Sequence, residues 1–360
     1  MNYKIYLSDE GFGHLVRQRA IYEELLRMNN TLSATVQTST YADAARRIFH
    51  NATFINKFNN ISWPKQANGA PDLAKIKCHF DGYAERSNQF IAAEENSHDY
   101  EFLISDFVYE AFPVAQRANV PAFGVAHFTW DWFFSRMYPI PVSMNVLDRL
   151  QCHAKQADAI YFPPFTPEEI LIEYKKIAKP VPFIVNKRDT APVNQHRDRF
   201  TIMIMDSGAD VLRRHIELAL DQIRSMDDVC FVLSEKYGIR GDNIKTIPER
   251  EFLSDYIPNV DLVVTRGGFN TISECIAYRV PLLLLGEPMN PEIERNLLYL
   301  KQEDLGSFIS LENFVNRFDD VLSKFIENEY KTIKSRMDEH EYETNGAEVV
   351  AEDILERVSA

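Results

Sequence analysis

Short apolar runs alternate with helix-spaced apolar positions along most of the chain. Tyr3 to Leu7 reads as a buried strand, followed by the tight loop Ser8-Asp9-Glu10-Gly11-Phe12-Gly13. From His14 to about Met28, Ile21, Tyr22, Leu25 and Leu26 recur at helical spacing. A strand is expected at Ala34 to Thr38, a helix at Tyr41 to Phe49 and a strand at Phe102 to Ser105 ending on Asp106. A helix over about Tyr109 to Ala118 and a strand at Ala122 to Ala126 follow. Residues 56–80, with Trp63-Pro64 and Gly69-Ala70-Pro71, read as a loop insertion before a helix at about Gly82 to Glu95.

The alternation restarts in the second half. Strands are expected at Ile202 to Met205, Cys230 to Leu233, Leu262 to Thr265 and Pro281 to Leu285. Helices are expected over about Val211 to Ile223 and from Thr271. Polar residues Asn186 to Asp198, including Pro192, read as a hinge, and Val349, Val350, Ile354, Leu355 and Val358 trace one face of a closing helix. The expected organisation is an N-terminal domain over 1–185, a hinge at 186–198, a second domain over 199–345 and a C-terminal helix at 346–360. Alternating strands and helices imply α/β architecture: two Rossmann-like, doubly wound domains facing across a cleft. Ligands in such sheets bind beyond the carboxyl ends of the strands.

The 360 residues are 45% hydrophobic, which excludes a disordered or fibrous chain. Lys plus Arg number 39 against 53 Asp plus Glu, and the net charge of −14 argues against a general nucleic-acid binder. A phosphate-bearing small molecule stays possible, because backbone amides hold phosphate whatever the global charge. Cys78, Cys152, Cys230 and Cys275 show neither C-x-x-C nor metal-type spacing, so a disulfide scaffold or zinc knuckle is not expected. With no signal-like start and no apolar run near the ~20 residues of a bilayer span, a cytoplasmic protein is expected.

Two glycine-containing loops stand at strand ends. In Gly11-Phe12-Gly13-His14 the glycines permit a sharp turn, but Val16 occupies the third glycine position of a dinucleotide fingerprint. His14, in the first helical turn, suits a general base, and Asp106 suits its orienting partner. The structural alternatives are a histidine packed under the loop and an aspartate capping the next helix. The second loop, Arg266-Gly267-Gly268-Phe269-Asn270-Thr271, joins an apolar strand to a helix start, an arrangement of oriented amides and helix dipole that suits an anion. Thr271 and Glu274 lie three apart on one helix face, fit for the phosphate and ribose of a nucleotide or, alternatively, for back-bonding and solvent.

Thr265 to Glu274, then Arg279-Val280-Pro281-Leu282-Leu283-Leu284, then Asn296, resemble the donor-binding segment of GT-B glycosyltransferases, in particular the MurG-like and UDP-glycosyltransferase-like families. Gly11-Phe12-Gly13-His14 with Arg17 is similar to the acceptor-side loop of those families. Ile104-Ser105-Asp106-Phe107 through Val125-Ala126-His127-Phe128-Thr129-Trp130-Asp131-Trp132 resembles the glycosyltransferase-like N-terminal region of plant L-arabinokinase; its kinase half has no counterpart here. The resemblance implies His14 as base and Asp106 as its partner. It also implies Glu274 on the ribose and Gly267, Gly268 and Thr271 near the diphosphate, with Gly208, Arg266 and Asn296 completing the donor side. Gly11, Phe12, Gly13, Arg17, His127, Trp130 and Asp131 fall on the acceptor side. Two departures leave the sugar open: Arg279 stands where the strand usually opens with glycine, and Glu287-Pro288-Met289-Asn290-Pro291-Glu292 replaces the polar run that touches it. No Asp-x-Asp occurs, so neither a metal nor a cofactor is expected; the nucleotide sugar is a substrate. Arg266 is the nearest cation for a departing diphosphate.

Phe128 to Phe134, continuing to Tyr138, holds two of the three tryptophans and reads either as an acceptor-pocket wall or as core. Contact with a membrane is at most peripheral. His127 is the second choice of base, and the charges from Lys331 to Glu343 read as a solvated helix face. The favoured function is a metal-independent, inverting glycosyltransferase that moves sugar from a nucleotide donor, UDP- or another NDP-sugar, to a hydroxyl of a sugar, lipid-linked sugar or other small molecule. The alternatives are a nucleotide-sugar hydrolase, with His14 activating water, and a non-catalytic nucleotide-binding protein.

Overall fold

The computed structural model describes residues 1–57, 61–66, 70–94, 99–186, 199–206, 212–249, 251–287 and 289–359. The chain divides into two compact units, Met1–Asn186 with Met289–Pro291 and Glu343–Ala360, and Lys187–Pro288 with Glu292–Tyr342. Apart from Asn186, the expected hinge lies outside the described residues.

The first unit runs β1 (Asn2–Leu7), α1 (Phe12–Met28), β2 (Ser33–Gln37), α2 (Ala42–Ile48), β3 (Thr53–Ile55), α3 (Leu73–Phe80), α4 (Tyr83–Glu94) and β4 (Phe102–Asp106). It continues with α5 (Ala111–Ala118), β5 (Ala122–Val125), α6 (Trp130–Ser135), α7 (Met144–Ala154), β6 (Ala159–Phe162), α8 (Glu168–Glu173) and β7 (Ala178–Pro180). Its seven strands are parallel in the order β3-β2-β1-β4-β5-β6-β7. The chain winds outward from β1 to β3 and then crosses back to β4, so the direction of winding reverses between β1 and β4. Leu7 pairs with Asp106 there, which puts the loop after β1 beside the end of β4.

The second unit runs β8 (Phe200–Met205), α9 (Arg213–Leu218), α10 (Leu220–Ser225), β9 (Val229–Ser234), β10 (Ile244–Ile247), β11 (Leu262–Thr265) and α11 (Phe269–Ala277). Then come β12 (Leu282–Leu285), α12 (Pro291–Gln302), β13 (Gly306–Ile309), α13 (Leu311–Asn316), α14 (Phe318–Asn328) and α15 (Tyr330–Glu339). The six strands are parallel in the order β10-β9-β8-β11-β12-β13. Here the reversal lies between β8 and β11, where Met205 pairs with Thr265. Both sheets are doubly wound and Rossmann-like, and each has a switch point of the kind that binds ligands in open α/β sheets.

Parallel strands covered on both faces read as unbroken apolar runs. Ile202 to Ile204 and Leu282 to Leu285 obey this and are fully buried. Lys4 in β1 is the exception: its ammonium is buried against Glu94 of α4 at 2.5 Å, with the Tyr6 hydroxyl donating to the same carboxylate at 3.0 Å. Burial lowers the Lys4 pKa, and the Glu94 carboxylate offsets part of that loss.

The closing helix, α16 (Gly346–Ser359), packs along α1 of the first unit. It docks through an isolated bridge between Ile184 and Asn345 and through the Gly346 amide, which donates to the Phe183 carbonyl at 3.1 Å. The expected loop over 56–80 contains β-bridged Lys65 and Pro71 and then α3, a helix the sequence pattern missed. Asp72 caps that helix by accepting from the Lys75 amide at 3.1 Å. The helix expected up to Ile223 is broken at Ala219 into α9 and α10.

Candidate active site

The loop after β1 turns on a single glycine. Gly11 has φ of +100°, a conformation costly for any side chain, and α1 begins at the next residue, so Gly13 lies inside the helix. His14, Arg17 and Gln18 are therefore one helical turn apart, at i, i+3 and i+4, and all three reach the end of β4. His14 Nδ1 lies 2.5 Å from Asp106 Oδ1. Arg17 donates through Nη2 to the same oxygen and through Nε to Oδ2 at 3.2 Å, while Gln18 Nε2 donates to Oδ2 at 3.0 Å.

Asp106 is completely buried, and burial by itself raises its pKa. The charges of Arg17 and His14 and their hydrogen bonds outweigh burial and hold the carboxyl down at about 2. His14 Nδ1 has two neighbours, Asp106 Oδ1 at 2.5 Å and Arg17 Nη2 at 3.1 Å. A nitrogen lone pair facing a carboxylate at 2.5 Å is repulsive, so the nearer, anionic neighbour favours the tautomer with the proton on Nδ1 and the lone pair on Nε2. His127 is the opposite case. Arg17 Nη1 lies 3.1 Å from His127 Nδ1, and a guanidinium only donates, so Nδ1 accepts and the proton resides on Nε2. The second-choice base of the sequence analysis is thus arranged as a hydrogen-bond donor.

Around this centre, Trp130 lies with its ring centroid 6.5 Å from that of His14 and stacks on Phe134. Phe128, Trp130, Phe133 and Phe134 are buried together, so the aromatic run is chiefly core, whereas Tyr138 is 89% exposed. Asp131 is buried behind it. It accepts from the Tyr109 hydroxyl at 2.5 Å, the Tyr174 hydroxyl at 3.2 Å and Gln151 Nε2 at 3.3 Å. Phe12 packs edge-on against Tyr41. Glu10, which sequence reasoning passed over, neighbours the dyad. Burial raises its carboxyl pKa, opposed by hydrogen bonds from the Trp63 amide and Ser62 hydroxyl and by the charges of His14 and Lys65. Gln18 was also missed, though its spacing from His14 was a readable signal.

The second unit repeats the device. Gly267 has φ of +95°, Gly268 caps α11 with φ of −64°, and the helix starts at Phe269. Asn296, buried on α12, donates to the Gly267 carbonyl at 2.9 Å and so holds the turn. Thr271 and Glu274 are both buried on α11. Asn270 Oδ1 is buried without a hydrogen-bond partner among the described residues, an amide left for another group to satisfy. Arg266 does not face the turn unaccompanied. Its Nε lies 3.0 Å from Asp206 Oδ1 and its Nη1 donates to Glu287, so one guanidinium ties together the ends of β8, β11 and β12. Asp206 in turn accepts from the Leu212 amide at 2.8 Å. Gly208 lies outside the described residues.

Residues 222–354 match the family model described as the glycosyltransferase family 28 C-terminal domain. Among curated proteins, the chain is 28% identical over 170 residues to UDP-N-acetylglucosamine–N-acetylmuramyl-(pentapeptide) pyrophosphoryl-undecaprenol N-acetylglucosamine transferase of Thermosipho melanesiensis, covering 45% of this chain and 47% of that one. The protein of the same name from Thermosipho africanus is 27% identical over 173 residues, 46% of this chain and 48% of its own length. The chain thus spans about half the length of the curated relatives it matches. Solved structures align over nearly its whole length. UGT2 of Phytolacca americana, complexed with UDP-2-fluoro-glucose and pterostilbene, has a TM-score of 0.65 at 13% identity with full coverage of both chains. The calicheamicin glycosyltransferase CalG4 has a TM-score of 0.64 at 12% identity, covering 99% of this chain and 98% of its own.

Proposed function

We propose that this chain, which has the GT-B fold and carries a glycosyltransferase family 28 C-terminal domain, transfers a sugar from a nucleoside diphosphate donor to an acceptor hydroxyl. The observation that carries the proposal is the His14–Asp106 dyad at the switch point between β1 and β4. A buried carboxylate held ionised by Arg17 orients one ring nitrogen and leaves the other to accept a proton. In the proposed reaction the acceptor oxygen attacks the anomeric carbon from the face opposite the nucleotide. The bond from that carbon to the phosphate oxygen breaks, the acceptor proton passes to His14 Nε2, and the configuration inverts.

The departing diphosphate is assigned to the amides at the start of α11, where the helix dipole favours negative charge, with Thr271 beside it and Glu274 on the ribose. Arg266, held by Asp206 and Glu287, is assigned to keeping the three strand ends in place rather than to the phosphates. With no Asp-x-Asp in the chain, the proposal routes no step through a metal. Proton transfer contributes roughly 10²–10⁴-fold, and the remaining acceleration is ascribed to positioning and charge stabilisation.

A UDP-sugar is the proposed donor, since the curated relatives are named for UDP-N-acetylglucosamine and a structural neighbour is complexed with UDP-2-fluoro-glucose. The relatives' names also contain an undecaprenol-linked sugar, so a lipid-linked sugar is a proposed acceptor class along with soluble hydroxyl compounds. Among the described residues no helix is long and apolar enough to cross a membrane. The test is nucleoside diphosphate release from a panel of nucleotide sugars, with and without acceptors. Acceptor-dependent release is expected; release indifferent to acceptor means a hydrolase, and no release with any pair overturns catalysis.

A further inference from the structure

The loop that carries His14 has two acidic residues with different fates. Asp9 is buried and tied to the loop after β2, accepting from the Ser39 and Thr40 amides at 2.8 Å. Glu10 to His14 are only half-buried, so Glu10 is the accessible acid beside the dyad. Gly11 lets the two come close: a side chain added there would begin 3.8 Å from His14 Cδ2, the ring carbon bonded to Nε2. The imidazole edge assigned to take the proton therefore faces the Glu10-Gly11 turn. The Glu10 carboxylate is held from its other side by the Trp63 amide and the Ser62 hydroxyl, and the charges of His14 and Lys65 act on it. Trp63 packs edge-on against Phe133 at 4.8 Å between centroids, and Phe133 lies 5.2 Å from Trp130, the neighbour of His14. A circuit of contacts thus runs from His14 through three aromatic rings back to Glu10 and fixes the carboxylate relative to the imidazole. The Trp63 indole N–H is buried with no hydrogen-bond partner among the described residues, a donor left for another group to satisfy.

We propose that Glu10 determines acceptor specificity by accepting a hydrogen bond from the hydroxyl next to the attacking one, so that the acceptor is a vicinal diol on a sugar or cyclitol ring. The proposal rests on the transferase reading above and narrows its acceptor. A carboxylate offers about four acceptor positions, and the bonds from Trp63 and Ser62 leave capacity for a further donor. Glu10 takes no proton from the nucleophile; it orients the ring so that the attacking oxygen meets His14 Nε2. A phenol or other lone hydroxyl reaches the imidazole but leaves the carboxylate without its donor. A site built to bond a hydroxyl rejects the analogue that lacks it.

The experiment measures nucleoside diphosphate release by the full-length protein from its preferred nucleotide sugar. Hexoses, myo-inositol and simple phenols serve as acceptors, followed by the monodeoxy analogues of the best one, in wild type, Glu10→Ala and Glu10→Gln. Glu85, exposed on α4, supplies the charge control Glu85→Gln. Wild type is expected to prefer a ring polyol, and loss of one particular hydroxyl is expected to lower kcat/KM about 10- to 100-fold. Glu10→Ala is expected to lose a similar factor with the parent acceptor, chiefly through KM, and little more with that deoxy analogue. Such non-additivity marks a direct contact, which a merely structural role does not produce. Glu10→Gln keeps an acceptor oxygen and is expected to recover part of the loss, with UDP affinity the same in every variant. Additive losses, an equal loss in Glu85→Gln, or a wild type that prefers a phenol overturns the role of Glu10 and leaves the transferase reading standing. The wild-type series decides alone if the alanine variant does not fold: no deoxy analogue weaker by more than about threefold overturns the proposal. Release indifferent to every acceptor overturns the transferase reading, and the proposal with it.

Discussion

Replacing Asp106 by Asn removes one negative charge from a fully buried position and leaves the outline of the side chain intact. Arg17 is only 2% exposed and directs two of its donors at this carboxylate, while Gln18 and His14 direct one each. An amide presents one acceptor oxygen and one NH₂, and each carboxylate oxygen serves two of those four donors, so two of them face another donor and the guanidinium loses its counter-charge. Breaking a buried pair in this way costs about 3–5 kcal/mol. A second figure follows from the lowered pKa of the Asp106 carboxyl. The carboxyl lies at about 2 in the folded chain against the ordinary 3.8, and at ~1.4 kcal/mol per pH unit this linkage is worth about 2–3 kcal/mol near neutrality. The folded value is the lower one, so the contribution is complete above pH 4 and is lost as pH falls through 2; about 1 kcal/mol of it is gone by pH 3. Trp63, Trp130 and Trp132, the chain's only tryptophans, all belong to the first unit, so urea unfolding followed by their fluorescence reports on the right part of the molecule. The midpoint of Asp106→Asn is expected well below that of wild type at pH 7, and the gap is expected to narrow at pH 3. Equal midpoints, or a gap indifferent to pH, refute the ionised, load-sharing carboxylate.

Two further substitutions test the framework. Arg266→Ala leaves Asp206 and Glu287 buried without their shared counter-charge, and a loss of about 3–5 kcal/mol in the second unit is expected by chemical denaturation; a loss under 1 kcal/mol contradicts the three-strand tie. Gly346→Ala puts a methyl group 2.1 Å from the Pro182 carbonyl oxygen and 2.9 Å from that of Phe183, so α16 must shift off its dock. Destabilisation of at least 1–3 kcal/mol, with faster amide exchange along α16, is expected; unchanged exchange means the helix is not held there.

Much of this architecture was readable from the chain. Parallel strands buried on both faces announce themselves as apolar runs, and their ends carry the glycine turns, so His14, Asp106 and the Arg266-Gly267-Gly268 loop stood at recognisable positions. What pairing does to those residues was not readable. Arg266 looked like a cation for phosphate, but its partners Asp206 and Glu287 lie 60 and 21 residues away, and only the sheet brings them together. Lys4 and Glu94 are separated by 90 residues and were equally silent. The α3 helix was hidden because Leu73, Ile76 and Phe80 give barely two turns of apolar stripe beside strong turn signals, although Asp72 was a usable cap. The aromatic run announced importance without saying whether it faces ligand or core. Its burial at Trp130, Phe133 and Phe134 and exposure at Tyr138 depend on how α6 lies against its neighbours.

The most direct measurement compares wild type with His14→Ala on two readouts, UDP affinity and acceptor-dependent release of nucleoside diphosphate from the preferred donor. If Nε2 of His14 takes the acceptor proton, release is expected to fall by about 10²–10⁴-fold while UDP affinity stays within a factor of two or so. Undiminished release from the alanine variant, or a parallel loss of affinity and release, contradicts the role given to this histidine.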